Sequence, residues 1–232
     1  DIKRLYTNIH VDFSHVVKLN PQFSLCDILV CYPGDNRNLT SIPKDVIDNA
    51  LYSLYGVPIV GEWVYKLDGT DEKTWGSHGG KIIIDDNGIH FEQTTKALGF
   101  VTKEAVDSAQ WVSVLEKDGV TNHNYLKLSG CILWTDRIEE TKTILEHNYG
   151  QSMECEFPKG YIRDDGYFVA EEMIFSALCV LGTAEPCFES AMIGRHYALG
   201  DCSDEINSMI FAYKNFLETK KSGVDKDMED SI

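Results

Sequence analysis

Three glycine-containing turns, each lying between segments that alternate apolar and polar residues, constrain the possible folds of this chain most strongly. The turns are Asp86-Asn87-Gly88, Lys117-Asp118-Gly119 and Asp164-Asp165-Gly166. Asn-Gly and Asp-Gly pairs favour the positive φ angles of tight hairpins, which join neighbouring antiparallel strands. The middle of the chain is therefore predicted to be mainly antiparallel sheet, with strand patterns over residues 81–92, 111–116 and 125–134.

Helical periodicity is restricted to short segments outside this sheet region. Residues 44–54 carry apolar side chains at helical spacing, and Ser41 is placed to cap the free N–H groups of that helix. A second helix is expected to begin at Thr135 and to end near Asn148, and a third to follow Ser203. Helices and sheet together predict an α+β fold.

Residues 1–217 are predicted to form a single domain. A chain of 232 residues with 43% hydrophobic residues can bury one large core. Residues 218–232 are charged and lack an apolar pattern, so we expect a disordered tail or a linker to sequence beyond Ile232.

The charge and the apolar pattern argue against two classes of partner. A formal net charge of −16 opposes binding to phosphate backbones, so nucleic acid is not expected as a partner. No apolar run approaches the roughly 20 residues that cross a bilayer, and the opening residues do not have the pattern of a secretory signal. We therefore expect an intracellular protein without a membrane partner.

The cysteines and histidines predict neither a metal site nor a cofactor. Seven cysteines are widely spaced without a CxxC pair, so reduced and mostly buried thiols are expected. Seven histidines occur without HxxxH or HxH spacing, which argues against a zinc enzyme.

Residues 147–157 end one helical segment and begin a strand, and Ser152 lies at the junction. Strand alternation places Ser152 and Glu154 on one side and the apolar Met153 and Cys155 on the other. Because the apolar side is expected to face the core, Ser152 is predicted to face outward as an accessible nucleophile.

His78 lies among three glycines in the segment WGSHGG, residues 75–80. Glycine allows the backbone to bend tightly and to approach a ligand closely, so this loop is a candidate site. Single loop histidines are common, however, and this segment alone does not assign a role to His78.

Four segments together resemble the prohead, or capsid maturation, serine proteases of tailed phages, which share the assemblin fold of the herpesvirus proteases. The segments are GVPIVGEW (56–63), WGSHGG (75–80), LWTDRIEETKTILEHNYGQSMECEF (133–157) and FSALCVLGTAEPCFESA (175–191). They follow the family's order of a loop histidine, a helix, a serine at a strand start and a buried strand. The resemblance implies an assemblin-like, mainly antiparallel, barrel-like core with a few flanking helices.

Carried over position by position, the resemblance makes Ser152 the nucleophile and His78 the general base that removes its proton. The third position, which orients the imidazole in the family, falls on Phe175, and a phenylalanine can orient nothing. Glu154 or Glu92 can substitute for it, or the Ser-His dyad acts unassisted.

Two further positions bear on this assignment. The arginines that help to stabilise the oxyanion in the herpesvirus enzymes are replaced by Thr183 and Ala184, so a backbone N–H would have to serve. His147, shortly before Ser152, is an alternative base, although a histidine at a helix end more often interacts with the helix dipole.

The resemblance implies a serine endopeptidase that cleaves scaffold and capsid proteins during phage head assembly. Its expected partners are the major capsid protein, the scaffold and other copies of itself. Its expected location is inside the procapsid, in the cytoplasm of an infected bacterial host. The alternative is a catalytically inactive protease-fold protein that acts as a scaffold or internal head protein.

Overall fold

A computed structural model of the protein describes residues 22–85 and 88–196. These residues all belong to one compact unit that ends at His196. The predicted helix after Ser203 and the predicted tail at 218–232 lie outside the described residues, as does the boundary placed at residue 217.

Within these ranges, strands are the main secondary structure. They are β1 (Ser24–Leu29), β2 (Gly34–Asp35), β3 (Thr40–Ile42), β4 (Pro58–Gly61), β5 (Trp63–Tyr65), β6 (Lys73–Trp75), β7 (Gly80–Asp85), β8 (Gly88–Gln93), β9 (Lys96–Phe100), β10 (Gln110–Leu115), β11 (Asn122–Leu133), β12 (Tyr149–Ile162), β13 (Phe168–Leu181) and β14 (Met192–Arg195). The α-helices are α1 (Lys44–Ala50), α2 (Lys103–Asp107) and α3 (Lys142–Glu146), with short 3₁₀ helices at Leu51–Leu54 and Glu139–Thr141.

Seven strands close into a barrel in the order β12, β14, β1, β11, β9, β4 and β13, because β13 pairs again with β12. The barrel pairings are antiparallel except that between β13 and β4, which is parallel. Closure removes the free strand edges that an open sheet would leave exposed.

The two glycine turns that the structure describes in full have the predicted role, since they connect the antiparallel pairs β10–β11 and β12–β13. Strands β7 and β8 also pair antiparallel, as predicted, while residues 86–87 between them lie outside the described residues. Gly119 and Gly166 have φ angles of 72° and 93°, in the left-handed region that glycine enters without steric cost.

The core fills the barrel with side chains from its strands. Fully or almost fully buried apolar residues include Ile28 of β1, Leu128 of β11, Leu98 of β9, Ile59 of β4 and Leu178 of β13. The expectation of reduced, mostly buried thiols is confirmed for the described cysteines, which are all free, and all but Cys155 are buried.

The helices are shorter than the sequence pattern suggested. Ser41 does not cap α1, because it lies in β3 and Pro43 occupies the cap position without a side-chain hydrogen bond. The helix expected from Thr135 is reduced to a 3₁₀ helix followed by the five residues of α3. The mainly antiparallel barrel is thus confirmed, while the share of helix among residues 22–85 and 88–196 is smaller than an α+β fold implies.

None of the helices in the described part of the chain has the length and apolar character needed to span a membrane.

Candidate active site

One face of the β12–β13 hairpin brings together residues distant in the sequence. The register places Ser152 opposite Cys179 and Glu154 opposite Ala177. Neighbouring residues in a strand point to opposite faces, and Leu178 belongs to the barrel core. Ala177 and Cys179 therefore face away from that core, where they form a second small buried cluster with Val60 and Leu181.

The loop that carries His78 is attached to the end of β13. Gly182 N donates to Gly76 O at 3.0 Å, and Gly76 N donates to Glu62 O at 2.7 Å. A Cβ atom at Gly182 would lie 2.4 Å from Trp75 O, closer than such atoms can approach. Glycine is needed there because only a residue without a side chain allows this close contact between backbones.

His78 and Glu154 form a direct pair at the surface of the hairpin. His78 Nδ1 lies 3.0 Å from Glu154 Oε1, and Gln93 Nε2 donates to Glu154 Oε2 at 3.1 Å. The hydrogen bond from His78 holds the pKa of the Glu154 carboxyl below its usual value, against the opposing effect of burial. An ionised Glu154 is therefore placed to orient the imidazole.

Ser152 is not an accessible hydroxyl, so the predicted exposure is wrong. Its residue surface is only 5% exposed, and its Oγ lies 3.7 Å from Cys187 Sγ. The face of the strand from which Ser152 projects was predicted correctly, since Ser152 shares that face with Glu154. Alternation could not show that the segment after β13 brings Cys187 against the hydroxyl.

The other candidates for the third catalytic position lie elsewhere. Phe175 is 3% exposed and belongs to the barrel core, so its side chain faces away from His78. Glu92 is an exposed residue of β8, whose Cα pairs with that of Lys81. The alternative base, His147, is exposed at the end of α3. Of these acids, Glu154 is the one bonded to His78.

Cys179 is a member of the site that sequence reasoning missed. Potential ligand atoms of His78, Glu154 and Cys179 all lie within 4.8 Å of one another. Burial, with a smaller contribution from Glu154 and Glu62, raises the pKa of the Cys179 thiol to about 12. Residues 173–181 are almost continuously apolar, so the sequence offers no alternation from which the face of Cys179 could be predicted.

A second polar cluster also escaped the sequence analysis. Glu116 is 7% exposed, and its carboxylate accepts hydrogen bonds from Ser190 Oγ at 2.5 Å and from Tyr125 OH at 3.0 Å. His123 Nδ1 lies 2.9 Å from the same carboxylate. Glu116, His123 and Glu189 form the other described group whose potential metal ligands lie within 4.8 Å.

This second cluster holds the segment that covers Ser152. Ser190 N donates to Tyr125 OH at 2.9 Å, and Tyr32 OH donates to Glu189 Oε2 at 2.6 Å. Next to these residues, a cavity of about 570 Å³ lies between the segment and the start of β12. Its lining includes Gly150, two residues before Ser152.

A family model described as the YonD N-terminal domain matches residues 22–218. The chain belongs to this family. The family is phage-associated, and no protease family matches the chain. No curated protein and no solved structure matches it either.

The match to the YonD N-terminal domain family includes every described residue. The closed barrel and the His78–Glu154 pair therefore lie within the family region.

Proposed function

We propose that this chain is a serine endopeptidase of the phage capsid maturation type, with an assemblin-like barrel. Ser152 is its nucleophile, His78 its general base and Glu154 the acid that orients the imidazole. The observation that carries the proposal is the 3.0 Å contact between His78 Nδ1 and Glu154 Oε1, next to Ser152 on the same strand face. It supplies an acid in place of the one that the resemblance aligned with Phe175.

The pair fixes which imidazole nitrogen takes part in the chemistry. An ionised carboxylate can only accept a hydrogen bond, so Nδ1 carries the proton that points at Glu154. Nε2 then keeps its lone pair and receives the proton of Ser152 as Oγ attacks the peptide carbonyl carbon. The same proton passes from Nε2 to the amine nitrogen as the peptide C–N bond breaks, and water releases the acyl group from Ser152.

Ser152 has to be uncovered before it can act. The Cα atoms of residues two apart in a strand are separated by about 7 Å. Ser152 therefore lies about one such step along β12 from Glu154, next to the His78–Glu154 pair. Its Oγ must turn away from Cys187 Sγ, 3.7 Å away, towards His78. Entry of a substrate at the adjoining cavity, which includes Gly150, would displace the segment that carries Cys187.

Several properties support capsid and scaffold proteins as the substrates. The chain belongs to a phage-associated family, and four of its segments resemble prohead proteases. Its formal net charge of −16 would keep it off the nucleic acid that is packaged in a phage head. In this proposal the enzyme works inside the procapsid, where it cleaves the scaffold, the major capsid protein and other copies of itself.

Active-site labelling and a processing assay test the proposal together. The full chain is treated with a fluorophosphonate, and the modified residue is located by mass spectrometry. In parallel, the chain is co-expressed with the major capsid protein and scaffold of the same phage, and their cleavage is followed. We expect labelling at Ser152, and loss of both labelling and cleavage in Ser152→Ala.

Three further variants assign the roles. His78→Ala should abolish cleavage, and Glu154→Gln should lower its rate by about 10²–10⁴-fold, as removal of an orienting acid does in other triads. Cys179→Ala should retain activity, which would exclude the neighbouring thiol as nucleophile. Ser176→Ala, at an exposed serine of β13, is the matched control. Unchanged processing by Ser152→Ala would refute the protease assignment.

The burial of Ser152 favours a second candidate, an inactive protease-fold protein that serves as a scaffold or internal head protein. A serine that is 5% exposed, with its Oγ 3.7 Å from a thiol sulfur, is the arrangement expected of a site that no longer turns over. This candidate predicts no labelling of Ser152 and normal head assembly with Ser152→Ala, but defective assembly when the chain is deleted.

A further inference from the structure

We propose that His78, Glu154 and Cys179 form a zinc-binding site, and that zinc bound there blocks the general base. Three different ligand types meet at this point, from the loop before β7, from β12 and from β13. The binding part of this inference is independent of peptide hydrolysis, whereas the blocking part rests on the proposed function.

The spacing of the three side chains is close to that of a zinc site. Zinc lies about 2.0–2.3 Å from its nitrogen, oxygen and sulfur ligands, so neighbouring ligand atoms in a tetrahedral site are roughly 3.3–3.8 Å apart. The potential ligand atoms of His78, Glu154 and Cys179 lie within 4.8 Å of one another. The upper limit of 4.8 Å exceeds the spacing of a tetrahedral site by about 1 Å, a difference that side-chain rotation can remove.

The chemistry of the ligands selects zinc over the common hard cations. Zinc binds imidazole and thiolate, and it displaces the proton of the Cys179 thiol when it binds, whereas magnesium and calcium require oxygen ligands. Three protein ligands leave a fourth coordination position for water. The side chain of His78 is 42% exposed, so an ion has a route into the site even though Cys179 is buried.

A hydrogen bond from outside the three-residue site favours Glu154 as a metal ligand. Gln93 Nε2 donates to Glu154 Oε2 at 3.1 Å, which fixes the carboxylate and leaves Oε1 directed at His78. Hydrogen bonds of this kind, behind the ligands, orient them and raise the affinity of metal sites. The other described cluster, Glu116, His123 and Glu189, differs because it offers no thiol.

Zinc and catalysis compete for the same atoms. A bound ion that occupies a lone pair of His78 removes the base that Ser152 needs, and one that draws Glu154 away from Nδ1 removes the acid that orients the imidazole. Zinc would therefore hold the proposed protease inactive until the ion is lost.

Isothermal titration of the full chain with zinc alone tests the binding. We expect one ion per chain, with binding weakened at least about tenfold in Cys179→Ala and in His78→Ala. Cys155→Ala and His147→Ala are matched controls and should bind as the wild type does. Cobalt provides a second measurement, since a thiolate ligand gives a charge-transfer absorption that Cys179→Ser should lack. Circular dichroism establishes that each variant is folded.

The outcomes separate this inference from the proposed function. Ser152→Ala should bind zinc normally while lacking cleavage activity, so a failed protease assay leaves the zinc result interpretable. Absence of a stoichiometric ion, or equal affinity in the wild type and Cys179→Ala, would overturn the zinc site. If zinc binds at these residues and cleavage by the wild type is unaffected, the blocking role is wrong.

Discussion

Glu116 should be among the most sensitive positions in the described part of the chain, because three side chains form hydrogen bonds with its buried carboxylate. They are Ser190 Oγ, Tyr125 OH and His123 Nδ1. The perturbation is Glu116→Ala, which removes the shared acceptor. Tyr125 is 0% exposed, so its hydroxyl cannot recover the lost bond from water.

The cost can be worked out donor by donor. A stranded buried donor such as the Tyr125 hydroxyl costs about 1–3 kcal/mol, and each of the two partly exposed donors loses a bond with a net value of about 1 kcal/mol. The sum is about 3–5 kcal/mol. At an m-value of about 2–3 kcal/mol/M for a domain of this size, the urea midpoint should fall by about 1–2.5 M.

Urea denaturation followed by tryptophan fluorescence measures this change. Glu116→Gln keeps one carbonyl acceptor and should lose roughly half as much stability. Glu146→Gln, at an exposed glutamate of α3, is the matched control and should stay within about 0.5 kcal/mol of the wild type. A fall of less than about 0.3 M for Glu116→Ala would refute the idea that this carboxylate anchors the segment around Ser190.

Two further predictions concern the barrel and the acid of the candidate site. Gly99→Ala should lower the free energy of unfolding by about 3 kcal/mol or more, because the new Cβ would lie 1.8 Å from Ile132 O and force β9 away from β11. Glu154 has a lowered pKa in the folded protein, so its ionised form adds stability above its usual pKa that is lost as the pH falls through the folded pKa. Glu154→Gln should therefore have a lower free energy of unfolding than the wild type at pH 7. The difference between the two should disappear below about pH 4.

Each of these predictions has a control and an outcome that contradicts it. Gly69→Ala places a Cβ in open space but at a φ of 82°, so it should cost only the backbone strain of that turn. Equal urea midpoints for Gly99→Ala and Gly69→Ala would contradict the steric argument. Glu92→Gln, at an exposed glutamate outside the pair, is the matched control for loss of one carboxylate. If the difference in free energy of unfolding between Glu154→Gln and the wild type stays constant from pH 7 to pH 3, the pair with His78 adds no stability.

Local patterns predicted the sheet but not the way it closes. The turns at Gly119 and Gly166 were identified because glycine at positive φ between alternating segments is a property of neighbouring residues. The parallel pairing of Ile59 with Leu178 joins residues more than a hundred positions apart, and no local pattern encodes it. Helix ends were predicted poorly because tertiary contacts place Ser41 in a strand instead of at a cap.

For the candidate site too, local patterns predicted one part of the arrangement and the tertiary structure decided the other. Alternation determined that Ser152 and Glu154 share one face of β12, since side-chain direction in a strand follows from the backbone alone. The folded chain decided that Glu154 would be the partner of His78, because the two residues meet across 76 positions. Folding also buried Ser152 behind the segment that carries Cys187.

The sequence by itself thus determined the strand and turn segments of the central sheet and the face of β12 from which Ser152 and Glu154 project. Only the tertiary structure decided which acid orients His78, that Cys179 joins the pair, and that Ser152 is covered. The physical reason is that strand period and turn conformation arise from interactions within a few residues. Proximity around the barrel depends on its closure, which involves the whole chain at once.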